Sequence, residues 1–198
     1  MKRSIGAVLL AIAVGGVMSM ALWASPQVVE SLDVERYMGR WFAIASIPTT
    51  FERQCIQGTT AEYRLLENGR IEVTNTCYDA DGEKDVAVGR AWIPKADEPT
   101  KLKVSFVRFL GFWLFPGAYW VIDLDPEYQF AVVGHPSYRY GWILSRTPTL
   151  PSETLLGIVE RLEAQGYDFK TFRMIDQSIH EAGQPDDCEP EDGETGNG

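Results

Sequence analysis

The stretch that decides the fold is YMGRWFAIASIPTTFERQC, residues 37–55. Gly39 stands two residues before Trp41, a run of strand-forming residues follows, and a polar loop then leads to a cysteine. Alternate residues of a strand share one face, so Trp41, Ala43 and Ala45 are predicted to point to the same side. Alanines beside the indole leave space, so this run predicts the wall of a cavity. Neighbouring aromatic side chains that fill the space are the alternative.

The rest of the chain continues this strand pattern. After Asp33, short strand-like runs alternate with turns, as in antiparallel β-proteins. Asn68 and Gly69 join two such runs, TTAEYRLL and IEVTNTCY, and this pair is typical of a type I′ hairpin turn. The runs amount to eight strands, and eight strands in up-and-down order close into a barrel that can hold one small ligand. The sequence therefore predicts an all-β fold, an eight-stranded antiparallel up-and-down barrel.

One long helix is predicted after the last of these strands. The segment ETLLGIVERLEAQG begins beyond Pro151 and ends at Gly166. Its apolar face is predicted from helical spacing to carry Leu155, Leu156, Val159 and Leu162. The helix is expected to flank the barrel on its C-terminal side, and residues 31–180 are predicted to form the barrel domain.

The two ends of the chain differ from this domain. An apolar run preceded by two basic residues ends in small residues, which predicts that residues 1–24 are a signal peptide of an exported protein. An uncleaved membrane anchor is the alternative. Residues 184–198 are rich in carboxylates, glycine and proline, which predicts an acidic, disordered tail. The formal net charge of −10 argues against a nucleic-acid partner.

Export makes the three cysteines candidates for disulfide formation. We predict a bond between Cys55 and Cys77, which ties a loop to a neighbouring strand, with Cys55 and Cys188 as the rival pair. A metal site is the weaker alternative, because the thiols are far apart and neither His135 nor His180 has ligand-like spacing to them. No metal and no cofactor are predicted.

The sequence resembles the lipocalins, and within them the apolipoprotein D and bacterial outer-membrane lipocalin group, over residues 33–177. The resemblance rests on SLDVERYMGRWFAIA, IPTTFERQCIQGTTAEYRLLENGRIEV, KLKVSFV, YWVIDLDPEYQFAVV and YGWILSRTPTLP. It implies that Trp41 seals the closed end of the barrel and that the guanidinium of Arg146 lies on the indole face. Gly39 is expected where a side chain would collide with that indole. This pair has a structural role, not a catalytic one.

The matching motifs and the phase of the strands assign a set of ligand-binding residues. An apolar wall with a few polar groups suits an acyl chain whose head group stays near the mouth of the barrel. The predicted set is Ala43, Ala45, Tyr63, Leu65, Val73, Asn75, Val104, Phe106, Tyr119, Val121 and Trp142.

The resemblance implies a binding protein of the periplasm or cell envelope whose ligand is a fatty acid or lysophospholipid, and which is not an enzyme. A lipid-modifying lipocalin enzyme of the isomerase or de-epoxidase type and a tetrapyrrole carrier are the alternatives. Glu62, Glu72 and Asp123 are interpreted as solvated carboxylates of the outer face, and His135 as a turn residue. No catalytic residue is predicted.

The segment FLGFWLFPGAY, residues 109–119, is unusually rich in large apolar residues. In lipocalin connectivity this loop belongs at the open mouth. Two interpretations stay open for Phe112, Trp113 and Phe115: they cover the cavity as a lid, or they contact a membrane surface, where Trp and Phe favour the interface.

Overall fold

The computed structural model describes residues 25–181. The predicted signal peptide, the acidic tail and Cys188 lie outside these residues. The strands of the described part are β1 (Gly39–Ser46), β2 (Gln57–Leu65), β3 (Ile71–Tyr78), β4 (Lys84–Trp92), β5 (Lys101–Ser105), β6 (Val107–Phe109), β7 (Phe112–Leu114), β8 (Gly117–Leu124), β9 (Phe130–Gly134), β10 (Gly141–Ser145) and β11 (Arg173–Met174). Its α-helices are α1 (Val34–Tyr37), α2 (Ser152–Ala164) and α3 (Ser178–Glu181).

Eight of these strands form a closed antiparallel barrel. Their order is β10-β9-β8-β5-β4-β3-β2-β1, and β10 pairs back with β1 to close the sheet. The predicted all-β barrel with a flanking C-terminal helix is therefore confirmed. The short strand β11 pairs with β1 near the end of that strand, while β6 and β7 form a separate two-stranded hairpin.

The β2–β3 turn differs from the predicted type I′ turn. Among its residues Gly69 alone has a positive φ, 74°, and the amide of Leu66 donates to the carbonyl of Arg70. These features describe a three-residue loop with glycine in the left-handed position, which is the next most common hairpin connection. Leu65 pairs with Ile71, whereas a two-residue turn at Asn68 and Gly69 would have paired Leu66 with Ile71. The register of the hairpin is therefore shifted by one residue from the predicted one.

The two ends of the barrel differ in what crosses them. The short helix α1 precedes β1 at one end, together with the turns at residues 66–70 and 125–129. This end is called the closed end. The β1–β2 loop, the β6–β7 hairpin and the turn at residues 135–140 lie at the opposite end, the mouth.

Two hydrophobic clusters lie on the two sides of the barrel wall. The inner cluster fills the barrel around Trp41 and consists of Leu32, Tyr37, Trp41, Ala43, Ala61, Tyr63, Ile71, Val73, Ala91, Leu102, Val121, Ala131, Val133 and Leu144. The outer cluster lies between the wall and α2 and consists of Ile44, Ala45, Ile122, Val132, Ile143, Ile158, Leu162 and Tyr167.

Ala45 belongs to the outer cluster, which corrects its assignment to the cavity. The register of β1 against β10 shifts between Ala43, which pairs with Leu144, and Ala45, which pairs with Ile143. Such a bulge inserts one extra residue and reverses the inward and outward phase beyond it. Ala43 therefore faces inward with Trp41, whereas Ala45 faces the helix.

Helix α2 covers the outer cluster with a face different from the predicted one. Ile158 and Leu162 are buried, whereas Leu156 is 64% exposed. The apolar face is thus rotated towards Leu155, which packs on the cluster. An ion pair between Arg161 Nε and Asp123 Oδ2, 2.8 Å apart, also ties the helix to β8.

Candidate functional site

The closed end is sealed by a tryptophan lying on a guanidinium. Trp41 is fully buried, and the guanidinium carbon of Arg146 lies 3.7 Å from the centre of its ring. Arg146 donates from Nη2 to the carbonyl of Arg36 at 2.7 Å and from Nη1 to the carbonyl of Arg40 at 2.8 Å. Its Nε donates to the carbonyl of Tyr128 at 3.3 Å. One cation thus joins α1, β1 and the β8–β9 turn beneath the indole.

Gly39 has a conformational role at this end rather than the steric one expected from the sequence. Its φ is +90°, a region that residues with a side chain rarely adopt. A β-carbon built on Gly39 would have Arg146 Nη1 as its neighbour at 3.5 Å, an ordinary contact distance, and not the indole. The glycine lets the chain turn from α1 into β1.

A triad of tyrosines, Tyr37, Tyr63 and Tyr119, lies at the closed end beside Trp41. The hydroxyl of Tyr119 is 2.8 Å from that of Tyr37 and 2.9 Å from that of Tyr63. The ring of Tyr37 lies 5.1 Å from the indole of Trp41. Aromatic side chains therefore occupy part of the space beside Trp41. This agrees with the alternative interpretation of residues 41–45, in which neighbouring aromatic side chains fill the space left by the alanines.

Burial keeps the tyrosine triad un-ionised. It raises the pKa of Tyr63 to about 12, although the hydrogen bond between Tyr63 and Tyr119 and the charge of Arg146 oppose the shift. Burial likewise raises the pKa of Tyr37 and of Tyr119 well above the ordinary tyrosine value. All three hydroxyls are consequently neutral hydrogen-bonding groups at physiological pH.

The interior between the triad and the mouth remains partly accessible. Tyr63, Val73 and Val121 are buried in the inner cluster with Ala43. The remaining inward-facing residues of the predicted set are only half-buried: Asn75, Val104, Tyr119 and Trp142. The structure thus brings eight of the predicted ligand-binding residues to the interior of the barrel.

Asn75 is a polar residue among these inward-facing side chains. It pairs in the sheet with Ala61, a member of the inner cluster. Its Oδ1 atom is buried and has no hydrogen-bond partner among the described residues. A buried polar atom without a partner is costly, so this amide is suited to pair with a polar group that enters the barrel.

Two other predicted ligand-binding residues lie at the ends of the barrel. Leu65 is 40% exposed because β2 extends beyond Gly39, which pairs with Tyr63 as the first residue of β1. Leu65 therefore lies past the closed end and outside the inner cluster. Phe106 follows β5 at the mouth side, where its ring lies against Gly89.

A small pocket lies at the mouth, and it was not predicted from the sequence. It has a volume of about 170 Å³ and is lined by Ser46, Pro48, Thr49, Glu52, Arg53, Cys55, Thr59, Trp142, Arg173 and Ile175. Glu52 Oε2 accepts a hydrogen bond from Thr49 Oγ1 at 2.8 Å. Burial raises the pKa of the Glu52 carboxyl above its ordinary value. The only available signal was the cluster of charged residues in TTFERQC.

The β1–β2 loop that forms this pocket is attached to the barrel by a disulfide. Cys55 and Cys77 are bonded, with their α-carbons 5.4 Å apart. Gln54 Nε2 also donates to Asp85 Oδ2 of β4 at 2.7 Å. Because Cys77 is bonded, it carries no free thiol that could act as a nucleophile.

Other titratable residues considered in the sequence have structural partners. Glu62 pairs with Arg40, Glu72 with Arg64 and Arg90, and Asp123 with Arg161. The ring of His135 contacts Ser137 within the turn that follows β9. Within residues 25–181, no three histidine, cysteine or acidic side chains are grouped as they would be to hold a metal ion.

The β6–β7 hairpin and the residue after it have largely exposed apolar side chains. Phe112 is 71% exposed and Phe115 is 84% exposed. The half-buried Trp113 lies over Arg90 on the outer side of β4, with the guanidinium carbon 5.5 Å from the ring centre. This contact holds the hairpin against β4.

The fold and the site define a β-barrel with one sealed end and a partly accessible apolar interior. The family model described as a Lipocalin-like domain matches residues 32–177. The chain belongs to this family.

The chain is similar to several relatives over most of its length, among them the following three. Temperature-induced lipocalin-1 of Arabidopsis thaliana is 42% identical over 156 residues, which cover 77% of this chain and 83% of the relative. Apolipoprotein D of Macaca fascicularis is 41% identical, covering 77% and 81% of the two chains. Outer membrane lipoprotein Blc of Escherichia coli strain K12 is 38% identical, covering 76% and 82%. The predicted resemblance to the apolipoprotein D and bacterial lipocalin group is therefore confirmed.

Solved structures share the fold at much lower identity. Insecticyanin from the tobacco hornworm Manduca sexta superimposes with a TM-score of 0.60 at 23% identity, covering 77% of this chain and 83% of that one. Among residues 25–181, no helix is long and apolar enough to cross a membrane.

Proposed function

We propose that this lipocalin is an exported, non-enzymatic protein of the cell envelope that binds and carries or stores a fatty acid or a lysophospholipid. The observation that carries the proposal is the apolar interior of the barrel. Its residues Val104 and Trp142 are only half-buried, and its opposite end is sealed by Trp41 and Arg146. An acyl chain that enters such a space gains about 0.8 kcal/mol for each methylene it buries. The names of the relatives, apolipoprotein D and outer membrane lipoprotein, agree with a lipid ligand and an envelope location.

The mouth pocket supplies a place for the head group. Arg53 and Arg173 line it and provide guanidinium groups that can pair with a carboxylate or a phosphate. Trp142 lines the pocket and also packs on the inner cluster, so the pocket borders the barrel interior at this residue. An amphiphile would thus place its charged end at the mouth and its chain in the barrel.

The test is a binding titration with a matched pair of variants. Titration with hexadecanoic acid, or with a lysophospholipid of the same acyl length, should quench the tryptophan fluorescence of the purified protein. Binding should saturate at about one lipid molecule per protein molecule. Val104→Trp should weaken binding about tenfold or more, because the indole displaces at least two methylenes from the interior. Lys103→Trp is the control, since Lys103 is exposed on the same strand. A parent protein that binds neither lipid at this stoichiometry would refute the function.

We also propose that the β6–β7 hairpin contacts a membrane surface from which the ligand is taken. Leu110 and Gly111 at its tip both have positive φ, 47° and 86°, the pattern of a type I′ turn. A leucine in this conformation is strained, and it is 80% exposed. An apolar side chain kept at a strained and exposed tip is better suited to a lipid interface than to water.

Removal of the exposed apolar side chains should abolish this contact. The triple variant Leu110→Ser, Phe112→Ser, Phe115→Ser retains Trp113, which holds the hairpin on Arg90. We expect it to lose co-sedimentation with neutral phosphatidylcholine vesicles and to keep its affinity for hexadecanoic acid. Leu156→Ser on α2 is the matched control for Leu110→Ser, since Leu156 is also largely exposed. Lost fatty-acid affinity with unchanged vesicle binding would support a lid instead.

A further inference from the structure

The tyrosine triad has one more hydrogen-bond donor than its own contacts use. Each hydroxyl supplies one O–H donor and can accept two hydrogen bonds. Three donors are thus present, but only two hydroxyl–hydroxyl contacts join them, Tyr37 to Tyr119 and Tyr63 to Tyr119. Whichever way the protons are oriented, one O–H remains. No other hydrogen bond from these hydroxyls is found among the described residues.

One orientation of the protons leaves the remaining donor on Tyr119, the least buried residue of the triad. Tyr37 and Tyr63 are buried to 2% and 7% exposure, whereas Tyr119, at the centre of the triad, is half-buried. If both outer tyrosines donate to Tyr119, the hydroxyl proton of Tyr119 is the one left over. A buried donor without an acceptor costs about 1–3 kcal/mol. Asn75, farther along the interior, has an unpartnered amide oxygen of its own.

We propose that the triad is a second polar subsite, which receives a neutral oxygen at the far end of the ligand. The ligand class is then an acyl chain that carries a hydroxyl or carbonyl at or near its terminus, with its charged head group at the mouth. This inference rests on the proposed binding function and deepens it.

A neutral oxygen fits the triad better than a carboxylate does. A buried carboxylate requires several donors to replace its hydration, and burying an unpaired charge is far more costly than burying a hydroxyl. The triad offers one donor, which is sufficient for a single hydroxyl or carbonyl oxygen. The charged group of the ligand therefore remains at the mouth, beside Arg53 and Arg173.

The experiment compares unsubstituted fatty acids with their ω-hydroxy derivatives. Dodecanoic, tetradecanoic and hexadecanoic acid are each titrated beside the matching ω-hydroxy acid by calorimetry on the parent protein. One hydrogen bond contributes about 1 kcal/mol net. We therefore expect the ω-hydroxy acid of the best-fitting length to bind about five- to tenfold more tightly. The parent protein alone thus tests the proposal, even if a variant does not fold.

The triple variant Tyr37→Phe, Tyr63→Phe, Tyr119→Phe removes the whole hydrogen-bond network and leaves no hydroxyl of the triad without a partner. Replacing every partner of a hydrogen-bonded group by apolar atoms of similar shape can be nearly neutral for stability. In this variant the preference should reverse, because the ω-hydroxyl is buried without a partner, while hexadecanoic acid binds as in the parent. Tyr128→Phe, which removes a hydroxyl at the closed end that bonds the amide of Asp33, is the control and should keep the parent preference.

The outcomes separate the two proposals. If the parent binds fatty acids but shows no preference for the ω-hydroxy form at any length, the subsite is refuted and the proposed function stands. A preference that survives in the triple-Phe variant also refutes the subsite. If the parent binds neither series, both the proposed function and the subsite are refuted.

Discussion

Arg146→Ala should lower the free energy of unfolding by about 2–4 kcal/mol. The guanidinium lies on the indole of Trp41 and donates to carbonyls from three segments of the chain. A partly desolvated cation–π contact is worth about 0.5–2 kcal/mol. Each of the three lost hydrogen bonds adds about 0.5 kcal/mol, the low end for such bonds, because the contacts to the carbonyls of Arg36 and Arg40 are exposed and water can replace the donor. Urea denaturation, followed by tryptophan fluorescence, measures the loss.

Two other arginine variants make this result interpretable. Arg40→Ala removes a neighbouring arginine whose 3.8 Å ion pair with Glu62 is largely exposed, so it should change stability by less than about 0.5 kcal/mol. Arg146→Lys keeps the charge but not the planar fork of donors, and should recover only part of the loss. Equal denaturation midpoints for Arg146→Ala and Arg40→Ala would contradict the role assigned to Arg146.

Removal of the disulfide should have an effect of similar size. Cys55 and Cys77 are 22 residues apart, and a cross-link that closes a loop of this size stabilises the folded state by about 3 kcal/mol in the chain-entropy model. The double variant Cys55→Ser, Cys77→Ser should therefore unfold at a lower urea concentration, and parent protein treated with a reductant should do the same.

Cys188→Ser supplies the control for the cysteine variants. With Cys55 bonded to Cys77, this change should leave the denaturation midpoint of the oxidised protein unaltered. Peptide mapping without a reductant should recover Cys55 and Cys77 in one linked fragment. A fragment that links Cys55 to Cys188 would establish the rival pair instead and overturn the assignment.

Much of the barrel was predictable because its information is local. Alternating apolar residues and turn residues identify strands. Eight such strands in succession can bury one face of every strand in few ways except by closing into a barrel. The Gly39-x-Trp41 pattern and the late arginine, Arg146, likewise marked the closed end. Alternate residues of a regular strand face the same side. The sequence therefore also predicted which residues face inward in the regular parts of β2, β3, β5, β8 and β10.

The failures of prediction occur where local pattern is ambiguous. A bulge between Ala43 and Ala45 carries no sequence signature, yet it turns Ala45 to the outer cluster. The position of the closed end relative to β2 depends on the pairing of Tyr63 with Gly39, so the exposure of Leu65 was not visible from β2 alone. The buried face of α2 differs from the predicted one because the position of the barrel wall determines whether Leu156 or Ile158 is covered, and the helix sequence alone does not specify that position.

By itself, the sequence determined the barrel, its family and the apolar character of the mouth segment, because periodicity, turn residues and motifs are properties of neighbouring residues. It favoured the pairing of Cys55 with Cys77 but left Cys188 as a rival partner, and the structure shows the bond to Cys77. Tertiary structure alone decided how groups distant in sequence meet. Tyr37, Tyr63 and Tyr119 come from three separate elements, and their hydroxyls lie within hydrogen-bond distance only after the barrel closes. The mouth pocket likewise requires the β1–β2 loop, β10 and β11 together. Such contacts depend on register and bulges, which are set by the packing of the whole wall.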